Sequence, residues 1–153
     1  MLMNDVLVVI PTYNEKDNIV KLISEIIKLD LSVLVVDDNS PDQTADVINS
    51  FFKNNKKVNV LKRKQKLGLG SAYRDGFNWG IINNFNYLVE MDADFSHQVD
   101  DLKKLLEKKS KNSLIIGSRY IPGGNIVGWS KRRETLSKYA NRFVKFLSSS
   151  KVN

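Results

Sequence analysis

Short runs of β-branched and aliphatic residues recur along this chain, and each is followed by an amphipathic segment. That alternation restricts the fold more than any other feature. Val6–Ile10 reads as a buried strand ended by Pro11. Asn14 can cap a helix running to about Leu29, with Ile19, Leu22, Ile23, Ile26 and Ile27 on one stripe. Val33–Val36 is a second strand, closed by Asp37-Asp38. Ser40-Pro41-Asp42-Gln43 fits a capping box with proline at the first helical position, and the helix presents Val47, Ile48, Phe51 and Phe52. Val58–Leu61, Tyr87–Met91 and Leu114–Gly117 follow as further strands. A helix from Ser71 to about Ile82, after the turn Gly68-Leu69-Gly70, and one from about Asp100 to Lys109 lie between them. Leu136, Tyr139, Ala140, Phe143, Val144 and Leu147 mark a last helix after a Gly/Pro loop. Such a chain folds as an α/β protein with a mostly parallel sheet covered on both faces.

Composition narrows what the fold can do. At 153 residues, a single domain over 1–153 is expected. There is no cysteine, which excludes disulfides, thiolate zinc sites, iron–sulfur clusters and cysteine nucleophiles. A single histidine, His97, excludes a multi-histidine metal site. No apolar run reaches the ~18–20 residues of a spanning helix. Met1 to Asp5 lacks the basic start of a signal peptide, so a cytoplasmic place, peripheral at a membrane surface, is the expectation. The net charge of +7 is unevenly spread: residues 1–107 hold 13 basic and 16 acidic side chains, residues 108–153 hold 11 and one. A basic segment of this kind suits a solvated face, anionic lipid headgroups, a phosphorylated substrate or nucleic acid, and charge alone does not choose.

In a parallel sheet, ligands bind at the C-terminal ends of the strands. The residues expected there are Pro11-Thr12-Tyr13-Asn14-Glu15, Asp37-Asp38-Asn39-Ser40, Asp92-Ala93-Asp94 and Ser118-Arg119-Tyr120, so five carboxylates and an arginine converge on one edge. Crowded carboxylates repel unless a cation neutralises them. Asp92 and Asp94, two apart in extended chain, point to one side and suit Mg²⁺ or Mn²⁺ completed by substrate phosphates. Other features are weaker. Gly68-Leu69-Gly70 lacks the third glycine of a dinucleotide fingerprint. The basic run Lys62-Arg63-Lys64 with Lys66 reads as a solvated loop, or else as a phosphate or headgroup contact. His97 reads as exposed and Trp79 as core, while Trp129 suits packing or an interfacial contact equally.

Val9-Ile10-Pro11-Thr12-Tyr13-Asn14-Glu15, Val36-Asp37-Asp38-Asn39-Ser40-Pro41-Asp42, Gly68-Leu69-Gly70-Ser71-Ala72-Tyr73, Met91-Asp92-Ala93-Asp94-Phe95-Ser96-His97 and Gly117-Ser118-Arg119-Tyr120 occur in a known order. Over about residues 5–145 the chain resembles the dolichol-phosphate (polyprenol-phosphate) mannose synthases, inverting family 2 glycosyltransferases of the GT-A fold. The resemblance implies a three-layer α/β sandwich in which Pro11, Tyr13, Glu15, Val36 and Asp38 hold the guanosine of GDP-mannose. It also implies that Asp92, Ala93 and Asp94 meet the diphosphate, and that Asp92, Asp94 and Ser96 hold Mg²⁺ or Mn²⁺. By the same likeness Asp94 and Arg119 are catalytic, and Arg119, Arg133 and Ser137 face the acceptor phosphate. Two positions depart from the family pattern: Gln43 stands where glycine is usual, and Val99 where proline is. The resemblance covers the donor side, and the family's further acceptor-side segments have no counterpart before Asn153, so an incomplete acceptor side is expected.

The implied reaction transfers mannose from GDP-mannose to a polyprenyl phosphate, a dolichyl-phosphate β-D-mannosyltransferase activity. Its chemistry suits these residues: a metal offsets charge on a diphosphate leaving group, and a lipid monophosphate is already anionic at neutral pH. The rival readings are a family 2 glucosyltransferase using UDP-glucose and undecaprenyl phosphate, and a donor-binding but catalytically incomplete fragment. A phosphohydrolase built on Asp92-x-Asp94 is a third, and a basic binding module a fourth. The expected partners are GDP-mannose, the lipid phosphate and an anionic membrane surface, with no nucleic acid.

Overall fold

A computed structural model describes residues 5–118, 120–121 and 128–148. These group into two compact units, 1–107 and 108–153, although a single domain is what the length suggests.

In the first unit, four parallel strands form one sheet in the order β3-β2-β1-β4. They are β1 (Val6–Thr12), β2 (Ser32–Asp37), β3 (Val58–Lys62) and β4 (Tyr87–Glu90). Val9 of β1 pairs with Leu34 of β2 and Glu90 of β4. Between the strands run α1 (Lys16–Ile27), α2 (Thr44–Phe51) and α3 (Leu69–Ile82), and α4 (Val99–Glu107) follows β4. The side-chain period of two splits the core. Val6, Val8, Ile10, Val33 and Val35 pack with Ile19, Leu22, Ile23 and Ile26 of α1, Ile48 of α2 and Leu102 of α4. Leu7, Val9, Leu34 and Val36 pack with Ala72 and Tyr73 of α3 on the opposite face. Both faces are covered, which is why β1 and β2 are apolar without interruption. The expected three-layer α/β sandwich with a parallel sheet is present in this unit.

Several local expectations are corrected. Ser40 does not cap α2. The helix begins at Thr44 after Gln43, which takes a left-handed φ of 66°, while Ser40 turns its hydroxyl to Asp37. Asn14 does not cap α1, whose N-cap is Glu15. α3 starts at Leu69, two residues before the expected Ser71, so the Gly-Leu-Gly turn is partly its first turn.

The second unit holds α5 (Lys131–Ser148), begun by Ser130, whose Oγ accepts the Arg133 N–H at 3.3 Å. The expected strand Leu114–Gly117 is absent: residues 113–118 carry no regular structure, and Leu114 is 85% exposed. A strand exists only through a ladder with another, and among its described residues this unit has none to offer. No helix among the described residues is long and apolar enough to cross a membrane.

Candidate functional site

The C-terminal ends of β1, β2 and β4 bring Glu15, Asp37, Asp38, Asp92 and Asp94 to one edge of the sheet, but these residues do not share one environment. Asp37 is fully buried. Its Oδ1 accepts the hydroxyls of Thr12 at 2.9 Å and Ser40 at 2.5 Å, and its Oδ2 the Ser40 N–H at 2.9 Å. Ser40 Oγ in turn accepts the Asn14 N–H at 3.0 Å, which ties the loop after β1 to the loop after β2. Asp37 is thus a structural anchor.

Asp38 is buried as well. Its Oδ2 accepts the N–H groups of Leu67 and Gly68, each at 3.1 Å. Its Oδ1 lies 2.9 Å from Arg63 Nε as an ion pair, with neither atom aligned for a hydrogen bond. Arg63 is only 8% exposed. It donates from Nη2 to Ser71 Oγ at 2.7 Å and places Nη1 3.6 Å from Asp75. Reading the whole basic run as a solvated loop is therefore wrong for Arg63, whose guanidinium is enclosed against Asp38 and Ser71. Lys62, Lys64 and Lys66 are exposed as expected. Lys66 Nζ stands 3.6 Å from the Tyr13 ring centroid, a cation–π contact.

Pro11 and Glu15 are half-buried and Tyr13 is 39% exposed. Glu15 Oε2 accepts the Asn18 side-chain amide at 3.2 Å. Val36, assigned to the donor by resemblance, is fully buried beneath α3, so its side chain presents nothing to a ligand at this edge.

The carboxylate pair after β4 is open to solvent. Asp92 Oδ1 accepts the Tyr73 hydroxyl at 3.0 Å, and its N–H makes a long 3.4 Å bond to His97 Nδ1. Burial, reinforced by the neighbouring Asp92, pushes the Tyr73 phenol far above its ordinary range, so it stays a donor. Asp94 Oδ1 accepts the Ser96 N–H at 2.9 Å. That bond, with the Ser96 hydroxyl, holds the Asp94 carboxyl below its ordinary value, so it is ionised at neutral pH. Ala93 between them is buried. No group of three or more His, Cys, Asp or Glu residues suited to a metal occurs among the described residues. Two carboxylates fit a hard dication that takes its remaining oxygens from phosphates and water, whereas they do not fit an all-protein cage. Asp92 and Asp94 would hold such an ion, while Ser96 serves Asp94.

Arg119 lies outside the described residues. In the second unit, Ser137 Oγ accepts the Tyr120 hydroxyl at 2.8 Å, and Arg133 lies 4.3 Å over the Trp129 ring. Sequence reasoning missed Tyr73 and Arg63. Tyr73 stood in the Gly68–Tyr73 motif without a role assigned to it, whereas nothing local separates Arg63 from its basic neighbours.

Residues 7–151 match the family described as Glycosyl transferase family 2. The chain is 43% identical over 145 residues to a polyprenol monophosphomannose synthase of Mycolicibacterium smegmatis, covering 92% of this chain and 55% of that protein. It is 44% identical over 134 residues to an undecaprenyl-phosphate mannosyltransferase of Micrococcus luteus, covering 86% and 55%. The chain therefore spans about half the length of these curated relatives. Among solved structures, a mannosyltransferase from Pyrobaculum calidifontis in complex with GDP-Man and Mn²⁺ is similar at a TM-score of 0.45 and 23% identity, over 49% of this chain and 24% of that one. With its motifs in order and the match running almost from end to end, the chain belongs to glycosyl transferase family 2 and has the α/β sandwich of the GT-A kind.

Proposed function

We propose that this chain forms the donor side of a mannosyltransferase that moves mannose, with inversion, from GDP-mannose to a polyprenyl phosphate at an anionic membrane surface. What carries the reading is the open Asp92/Asp94 pair at the end of β4, in a chain similar over 92% of its length to a polyprenol monophosphomannose synthase.

A bound Mg²⁺ or Mn²⁺ would offset the charge that develops on the departing diphosphate. Asp92 and Asp94 would hold it, Tyr73 fixing the first carboxylate and Ser96 the second. Tyr13 and Glu15 would meet the guanosine. The acceptor's phosphate oxygen would attack the anomeric carbon from the face opposite the leaving group. As a phosphate monoester it is already anionic, so no strong base is required. Arg119, Arg133 and Ser137 are the residues assigned to that phosphate.

The test is calorimetric titration of GDP-mannose with and without Mn²⁺. Donor binding should strengthen with metal, and Asp92→Asn or Asp94→Asn should remove most of that gain by deleting a negative ligand. Parent-like, Mn²⁺-dependent affinity in both variants would overturn the metal assignment.

A further inference from the structure

We propose that Lys66 determines base specificity, its ammonium donating to the O6 and N7 acceptors of a guanine laid on Tyr13. This rests on the reading of the nucleotide site above. Asp38 and Glu15 are the carboxylates expected there to select the base, but the structure turns Asp38 inward. One of its oxygens accepts the Leu67 and Gly68 amides and the other pairs with buried Arg63. Asp38 therefore acts as a latch on the 63–68 loop. Arg63 completes the latch through Ser71, whose hydroxyl also lies within hydrogen-bonding distance of the Leu67 and Gly68 carbonyls, at 3.0 and 2.9 Å.

The latched loop brings Lys66 Nζ to 3.6 Å from the centre of the Tyr13 ring. Tyr13, just beyond β1 and 39% exposed, presents a flat aromatic surface at the ligand-binding edge of the sheet. A planar base stacks on such a surface regardless of its identity. Discrimination then depends on what meets the edge of the stacked base, and Lys66, which lies over the ring in the free protein, would be displaced to that edge. Its ammonium can only donate. Guanine offers O6 and N7, both acceptors, whereas adenine replaces O6 with an amino donor. An incoming guanine would exchange the cation–π contact for charge-assisted hydrogen bonds, while adenine would set donor against donor.

The experiment measures the affinities of GDP, IDP and ADP in Mn²⁺ for the 153-residue chain, Lys66→Met and Lys66→Arg. IDP keeps O6 and N7 but lacks the 2-amino group. The parent should prefer GDP and IDP to ADP. Lys66→Met should weaken GDP and IDP about tenfold, ~1.4 kcal/mol, without weakening ADP, and Lys66→Arg should restore most of the loss. An unchanged GDP-to-ADP ratio in Lys66→Met would overturn the assignment. So would an equal loss for all three nucleotides, which would place Lys66 on the phosphates instead. A parent that binds GDP with no preference over ADP defeats the inference but leaves the donor reading standing. A parent that binds no nucleoside diphosphate defeats both.

Discussion

Asp42 joins the first turns of two helices through one side chain. Its Oδ1 accepts the Thr44 amide at 3.0 Å and the Thr44 hydroxyl at 2.6 Å, and its Oδ2 accepts the Lys16 amide at 3.1 Å. Burial alone would raise this carboxyl, but the bonds from Thr44 and the Lys16 amide win and hold it below its ordinary 3.8. A depressed carboxyl contributes stability that is complete above the ordinary value and is lost as pH falls through the lowered one. Asp42→Asn should therefore cost about 1 kcal/mol at pH 7, with the gap to the parent closing below pH 3.8. Urea unfolding across that range checks it, and a gap independent of pH would contradict it. The neighbouring Gln43 explains a family preference: its φ of 66° is one that glycine adopts without strain. Val99, the first residue of α4, likewise occupies a position where proline is preorganised for the helix.

At the scale of elements, the approach of α3 to the sheet decides whether Tyr73 can reach Asp92. A Cβ on Gly76 would meet Val9 Cγ1 well inside van der Waals contact, and one on Gly80 would meet Leu88 Cδ2 at 2.5 Å and Leu7 Cδ2 at 2.9 Å. Val9 is a β-branched residue in a strand paired on both sides, so it cannot move aside. Gly76→Ala should destabilise the protein by about 1–3 kcal/mol despite alanine's better helix propensity. Gly70→Ala, in the same helix with nothing within 4 Å of the added carbon, should be neutral or stabilising. Urea midpoints of the two variants give the comparison, and equal effects would rule out the close-approach explanation. Donor affinity in Gly76→Ala should fall along with stability, because a displaced α3 withdraws the Tyr73 hydroxyl from Asp92.

Over the whole molecule, charge and apolar surface are divided between the two units. Residues 1–107 hold 13 basic and 16 acidic side chains, and residues 108–153 hold 11 basic and one acidic. Along α5, Leu136, Tyr139, Phe143 and Phe146 are exposed among these cations. A helix of this composition suits the interface of an anionic bilayer, where each well-placed basic residue contributes ~1 kcal/mol. Cosedimentation with vesicles containing anionic lipid should show binding that weakens as salt rises. Binding unaffected by salt, or none at low salt, would exclude the electrostatic attraction.

The strand–helix alternation, the two-faced core and the carboxylate pair after β4 were legible without coordinates, because periodicity and strand-end chemistry are local properties. Family order in the motifs pointed to residues at the same edge of the sheet. Tertiary structure alone decided how those residues are used. Asp37 and Asp38 look equivalent to Asp92 and Asp94 in sequence, yet the first pair is enclosed, Asp37 bonded to Thr12 and Ser40 and Asp38 to two loop amides and ion-paired with Arg63, while the second is open to solvent. Arg63 and Lys64 are adjacent cations, one buried and one exposed, according to which side of the β3–α3 loop packs onto Asp38. Leu114–Gly117 reads as a strand by composition, but strand formation needs a partner backbone, and composition cannot supply one. A residue's pattern states what it can bury, whereas a charge's role depends on which distant groups the fold brings within a few ångströms of it.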